Sequence, residues 1–101
     1  MTIDPAIAVH FKPDREVVIR VREAKQIIES EIYNDFIKMV TTTPLREGVD
    51  TYFGEKFVYE LKEIRHKKKR IEIYFDVILR STIGYKRPTR VGVVIVEVKK
   101  S

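Results

Sequence analysis

The sequence predicts an α+β domain: a single antiparallel β-sheet of about five strands, in the order β-β-α-β-β-β, with one helix packed on one face. Three observations predict it. Apolar residues alternate with period two in four separate segments, the spacing switches to that of a helix in one stretch between residues 22 and 40, and no linker, repeat or low-complexity segment interrupts the chain. With 101 residues, 44% of them hydrophobic and 35% charged, there is material for one core and not for two, so residues 1–101 are expected to form a single domain.

Each element has its own signature. Ile7, Val9 and Phe11 alternate with Ala6, Ala8 and His10; residues 12–15 supply turn chemistry; Val17, Ile19 and Val21 then alternate again, which reads as a β-hairpin. From about Arg22 the period changes. Ala24, Ile28, Ile32, Phe36 and then Met39 or Val40 recur three or four apart, as one face of a helix ending near Val40 requires. Thr41, Thr42, Thr43 and Pro44 close that helix, and Gly48 and Gly54 punctuate a loop. Phe57, Tyr59 and Leu61 then mark one face of a third strand, and Ile71, Ile73, Phe75, Val77 and Leu79 one face of a long fourth. Residues 84–88 form the next loop. The last element, 91–98, is apolar on both sides, as a strand covered on both faces should be.

A helix of about nineteen residues is roughly 28 Å long and covers one sheet face only. The second face would carry Val18, Tyr74, Ile78 and either Val94 and Val96 or their neighbours, an apolar set too large to leave wet. A homodimer is therefore expected. Tyr33 and Ile37, four apart and off the helix stripe, would add to the partner surface. The alternative is that the chain's own loop, such as residues 45–53, folds over that face.

Chemistry is hard to assemble from these residues. There is no cysteine, so disulfides and thiolate metal sites are excluded, and a reducing cytoplasm is the expected compartment. The first residues lack a basic segment followed by an apolar one, and the apolar run near Val93 is too short to span a bilayer, so no membrane association is expected. The histidines are His10 on a strand and His66 in a basic turn, which gives no triad, and the glycines at 48, 54, 84 and 92 are too dispersed to cradle a phosphate. Glu60-Leu61-Lys62, completed by Asp14, Asp50 or Asp76, has the form of an acid-x-lysine nuclease site holding Mg²⁺. Glu-x-Lys also occurs at Glu23 and Glu97, however, and a cross-strand ion pair is the ordinary reading. The expectation is a protein that is not an enzyme, with no cofactor, no metal and no small-molecule substrate.

The basic clusters carry the strongest signal. Residues 62–70 hold six Lys or Arg against one Glu, and residues 80–90 hold Arg80, Lys86, Arg87 and Arg90 against no acid, which concentrates +9 on two connections of a chain whose net charge is +5. Arg65, Lys67, Lys68, Lys69 and Arg70 in the first, with Tyr85, Lys86, Arg87 and Arg90 in the second, are the candidate nucleic-acid-binding residues. Cations would neutralise phosphates and Tyr85 would stack on a base or sugar. If both connections are tight hairpins, they leave opposite ends of the fourth strand.

Phe11 and Pro13 in the first turn, Pro44-Leu45 after the helix, Tyr52 and Phe57 entering the third strand and the alternation from Ile71 to Val77 form a pattern that covers most of the chain. This pattern resembles a family of small proteins of archaeal viruses that includes type I-D anti-CRISPR inhibitors. The resemblance implies a dimeric, non-catalytic protein made during infection. In the inhibitor branch, which is acidic where this chain is basic, it also implies occupation of the large subunit of the host's type I-D effector complex. A single Gln and a single Asn beside abundant Lys, Arg and Glu fit a thermophilic source. A second similarity, to small archaeal chromatin proteins of the Alba type, spans residues 16–21 with the helix and 94–100; that fold needs a strand and a helix ahead of this point, where about fifteen residues read as a hairpin arm. The leading expectation is thus a homodimeric interaction module that binds a host macromolecule in the cytoplasm, with a basic nucleic-acid binder as the alternative.

Overall fold

The computed structural model describes residues 17–43, 45–46 and 48–99. The first strand of the expected hairpin, residues 7–11, lies outside them, as do His10, Asp14 and Pro44.

The fold is α+β, with one antiparallel five-stranded sheet and one α-helix. The elements are β1 (Val17–Arg22), α1 (Gln26–Thr42), β2 (Thr51–Phe53), β3 (Phe57–His66), β4 (Arg70–Leu79), a 3₁₀ turn (Arg80–Thr82) and β5 (Arg90–Lys99). In the sheet they run β1-β5-β4-β3-β2. Strands β2 to β5 therefore form a meander, and β1 closes onto the free side of β5 with Val17 opposite Val98 and Val21 opposite Val94. This places β5 inside the sheet, between β1 and β4, with Val94, Val96 and Val98 buried under the helix and Val93 buried on the other face, as its sequence, apolar on both sides, requires.

The path from β1 to β2 must cross the whole sheet, because these are its two outer strands. Five strands spaced by about 4.8 Å span roughly 19 Å, and a helix of 17 residues reaches about 25 Å, so α1 bridges the gap by itself. Its apolar stripe is the expected one. Ile32, Phe36, Met39 and Val40 are buried, with Ala24 and Ile28 half-buried beside them. Phe36 meets Tyr59 edge-on at 4.9 Å between ring centres and lies 5.7 Å from Phe75, which in turn meets Tyr52 at 5.8 Å. Ile73, Val77, Val94 and Val96 complete this core on the helix side.

The boundaries differ from the sequence reading in four places, one of them β3, which runs on to His66 and so places Arg65 and His66 in a strand opposite Glu72 and Ile71 and not in the basic turn. The helix starts at Gln26 instead of near Arg22, because β1 runs to Arg22 and Glu23 adopts a left-handed conformation (φ 54°) that turns the chain before Lys25. It continues to Thr42, where Thr43 N–H donates to the Met39 carbonyl at 2.8 Å and the hydroxyls of Thr41 and Thr42 donate to the Lys38 carbonyl at 2.8 and 3.2 Å. Residues 51–53, read as loop, form a short strand in which Tyr52 is buried and its hydroxyl both accepts from Arg46 N–H at 3.1 Å and donates to the Arg46 carbonyl at 3.3 Å.

One buried carboxylate fixes the helix to the sheet. Asp35, in the middle of α1, accepts the backbone N–H groups of Glu55, Lys56 and Phe57 at 3.0, 3.1 and 3.3 Å and the Tyr59 hydroxyl at 2.8 Å. The turn between β2 and β3 is thereby held by a residue twenty positions upstream. Burial, and then the bond to Asp35, push the Tyr59 hydroxyl far above the usual phenol range. Gly54 completes the arrangement, since a Cβ there would collide with Asp35 Oδ2.

Candidate nucleic-acid interface

The face of the sheet turned away from α1 is not the continuous apolar surface that the sequence suggests. Val94 and Val96 belong to the helix side, and their neighbours Val93 and Ile95 take the outer face. Val58, Ile78 and Val93 on that face are already buried in the chain, Ile95 and Tyr74 are half-buried, and Val18 on the outer strand remains 45% exposed. Tyr33 is exposed and Ile37 half-buried on the helix, on the other side of the sheet from Val18, Tyr74 and Ile78. The five residues assigned to a dimer surface therefore do not share one face.

Between the apolar side chains of the outer face lies a lattice of ion pairs. Arg20 Nε is 3.3 Å from Glu97, Arg70 Nε donates to Glu72 at 3.1 Å, and Tyr74 donates to the other Glu72 oxygen at 3.2 Å. Arg65 pairs closely with Glu63 and lays its guanidinium 4.7 Å above the Tyr74 ring. Arg90 donates to Asp76 at 3.1 Å and to Glu23 at 3.3 Å, and Lys62, at an irregularity of β3, lies 3.9 Å from Asp76. The electrostatics follow from these contacts. Burial opposes ionisation of Glu72, but the bonds from Arg70 and Tyr74 outweigh it and hold the carboxyl below its usual range; the bond from Arg65 does the same for Glu63, and Asp76 holds the Arg90 guanidinium on its cationic side.

Of the nine candidate binding residues, Arg65, Arg70 and Arg90 are thus occupied by acids of the same chain. The other six make no ion pair with a described residue. Lys67, Lys68 and Lys69 form the exposed turn between β3 and β4, closed by Lys67 N–H donating to the Arg70 carbonyl at 2.8 Å, and none of the three makes an ion pair with a described residue. Tyr85, Lys86 and Arg87 lie in the connection from β4 to β5, which is well braced. Leu79 N–H donates to Thr89 O at 2.8 Å, Thr82 Oγ1 donates to Leu79 O at 2.6 Å and accepts Thr89 N–H at 2.9 Å, and Tyr85 N–H donates to Thr82 O at 3.1 Å. Gly84, at φ 100°, makes the turn that an L side chain would resist.

The two basic segments sit at opposite ends of β4, as its hairpins dictate. Ten residues of strand separate them by about 30 Å. The end that carries Tyr85 also gathers Phe53 and Arg80, the latter counted in the basic cluster but not among the candidate binding residues. Arg80 N–H donates to the Lys56 carbonyl at 3.0 Å, its guanidinium donates to Gly54 O, and its charge centre lies 5.8 Å from the centre of the Phe53 ring. Phe53 is 59% exposed and Tyr85 69%. The one signal in the sequence was a Phe-Gly pair at the rim of an unrecognised strand.

The acid-x-lysine pattern is placed as follows. Glu60 and Asp76 are register partners on the outer face, with Lys62 and Arg90 against the Asp76 carboxylate. Asp50 precedes β2, its carbonyl accepting Leu61 N–H at 2.7 Å, and His66 is exposed at the end of β3. No cluster of three or more His, Cys, Asp or Glu side chains suited to a metal ion occurs among the described residues. No described helix is long and apolar enough to cross a membrane.

No family model matches the chain, and neither the curated proteins nor the solved structures provide a match. The functional reading therefore rests on geometry and charge.

Proposed function

We propose that the protein is a non-catalytic nucleic-acid-binding module that holds a phosphate backbone through the two ends of its sheet. One observation carries the reading. Five cations of the sheet face, Arg20, Lys62, Arg65, Arg70 and Arg90, pair with acids of the same chain and Arg22 alone on that face does not, whereas Lys67, Lys68 and Lys69 at one end and Lys56, Arg80, Lys86 and Arg87 at the other make no ion pair with a described residue. Cations clustered without ion pairs at the two ends of the sheet, on a chain of net charge +5, are what counterion release from phosphates uses. The test is a mobility-shift titration with DNA and RNA at two salt concentrations. Engagement of about four phosphates predicts an affinity loss of about 50-fold for a single strand and about 150-fold for a duplex between roughly 50 and 200 mM salt. Absence of a shift with either nucleic acid at low salt rejects the proposal.

A second reading, a homodimer that binds a host protein, draws support from the β1 edge. Val18 on one side of it and Tyr33 beside Val21 on the other are exposed, and Ile27 at the start of the helix is 82% exposed. Its prediction is a particle of twice 11.9 kDa in sedimentation, reduced to 11.9 kDa by Tyr33→Arg, and partner binding that salt barely weakens.

A further inference from the structure

We infer that the end of the sheet built by Phe53, Arg80 and Tyr85 takes single-stranded nucleic acid, stacking unpaired bases on the two aromatic rings; the inference rests on the nucleic-acid reading above and specifies its ligand. Phe53 is the observation that points furthest. Its neighbour Tyr52 fills the core, and the pleat of β2 turns Phe53 the other way, so a large apolar residue is left 59% exposed, with the Arg80 guanidinium beside its ring. Tyr85, still more exposed, caps a loop whose backbone is fixed by Thr82 and Thr89. A ring on a braced loop is a preformed platform that loses little freedom when a base settles on it.

Arg80 links the two. It opens the 3₁₀ turn that leads to Tyr85, and its guanidinium is tethered to the Gly54 carbonyl beside the Phe53 ring. The Phe53 ring and the planar Arg80 cation lie side by side, and the turns at the same end of the sheet carry Tyr85 as a second ring and Lys56, Lys86 and Arg87 as charges to meet phosphates. In a duplex the base faces are stacked on one another and unavailable to such rings, whereas a single strand presents them. The opposite lysine turn has no described aromatic neighbour of this kind and supplies charge alone.

Fluorescence anisotropy with a labelled 12-nucleotide single strand and the matching duplex, at low salt, tests this. The single strand is expected to bind at least about tenfold more tightly than the duplex, and Phe53→Leu and Tyr85→Leu, which keep apolar bulk without a π face, to weaken it about five- to tenfold each while leaving the duplex unchanged. Replacing Lys67, Lys68 and Lys69 by Ala should weaken both ligands. Equal binding of both ligands, unaffected by the two leucine substitutions but reduced by the alanine ones, overturns the stacking inference and leaves the nucleic-acid reading standing. No binding of either ligand overturns both.

Discussion

Asp35 and Gly54 show how a single pair of residues fixes the relation of helix to sheet. The carboxylate is buried and has four donors, so each donor loses its partner if the side chain is removed. Gly54→Ala would push the same carboxylate away from the same donors. Each single change, Asp35→Ala or Gly54→Ala, is expected to lower stability by about 3 kcal/mol in urea unfolding. The double variant should lose little more than either alone, because both changes break one network. Glu72 sets a different dependence. Its carboxyl ionises more readily in the folded chain, so its contribution is present above the unfolded carboxylate value and is lost as pH falls below about 4.5. Glu72→Gln is therefore expected to flatten the acid side of the stability profile between roughly pH 3 and 5, measured by urea unfolding across that range, while leaving its shape above pH 6 unchanged.

At the level of elements, legibility in the sequence tracked the length and purity of the periodic signal. Strands β4 and β5 were plain because ten residues each alternate or stay apolar, and the helix was plain because six residues repeat on one face. Strand β2 was not, since three residues cannot establish a period and its stability comes from Tyr52 reaching the Arg46 backbone and the Phe75 ring. The outer sheet face was misjudged because alternation reports which side a residue faces and not which charges will pair across strands. Of the site, the two basic connections, Arg80 included, were legible as charge; Phe53 and its pairing with Arg80 were not, because only the folded turn brings them together. The helix stripe yields its own prediction. Phe36→Ala removes a fully buried ring in contact with Tyr59 and Phe75 and should lower stability by about 3–5 kcal/mol, whereas Tyr33→Ala, on the exposed side of the same helix, should change it by less than about 1 kcal/mol in the same urea titration.

The whole molecule extends 40 Å along its longest axis, and β4 by itself holds the two uncompensated basic ends about 30 Å apart. The face between them carries most of its charges in opposing couples, and its unpaired Arg22 and Glu60 are of opposite sign, so it adds little long-range field and the ends act as separate sources. That separation makes the salt dependence of binding a ruler. An oligonucleotide long enough to reach both ends should show a steeper dependence on salt than one confined to the Phe53 end, because each phosphate contact adds its own released counterions. With a single strand of about 25 nucleotides, replacing Lys67, Lys68 and Lys69 by Ala is expected to reduce the log–log salt slope by about 2, whereas with a strand of about 6 nucleotides the same change should leave the slope where it was. The measurement is a set of anisotropy titrations at four salt concentrations. Equal effects of the substitution on the long and the short strand would mean that the two ends do not engage the ligand separately, and that the span along β4 plays no part in binding.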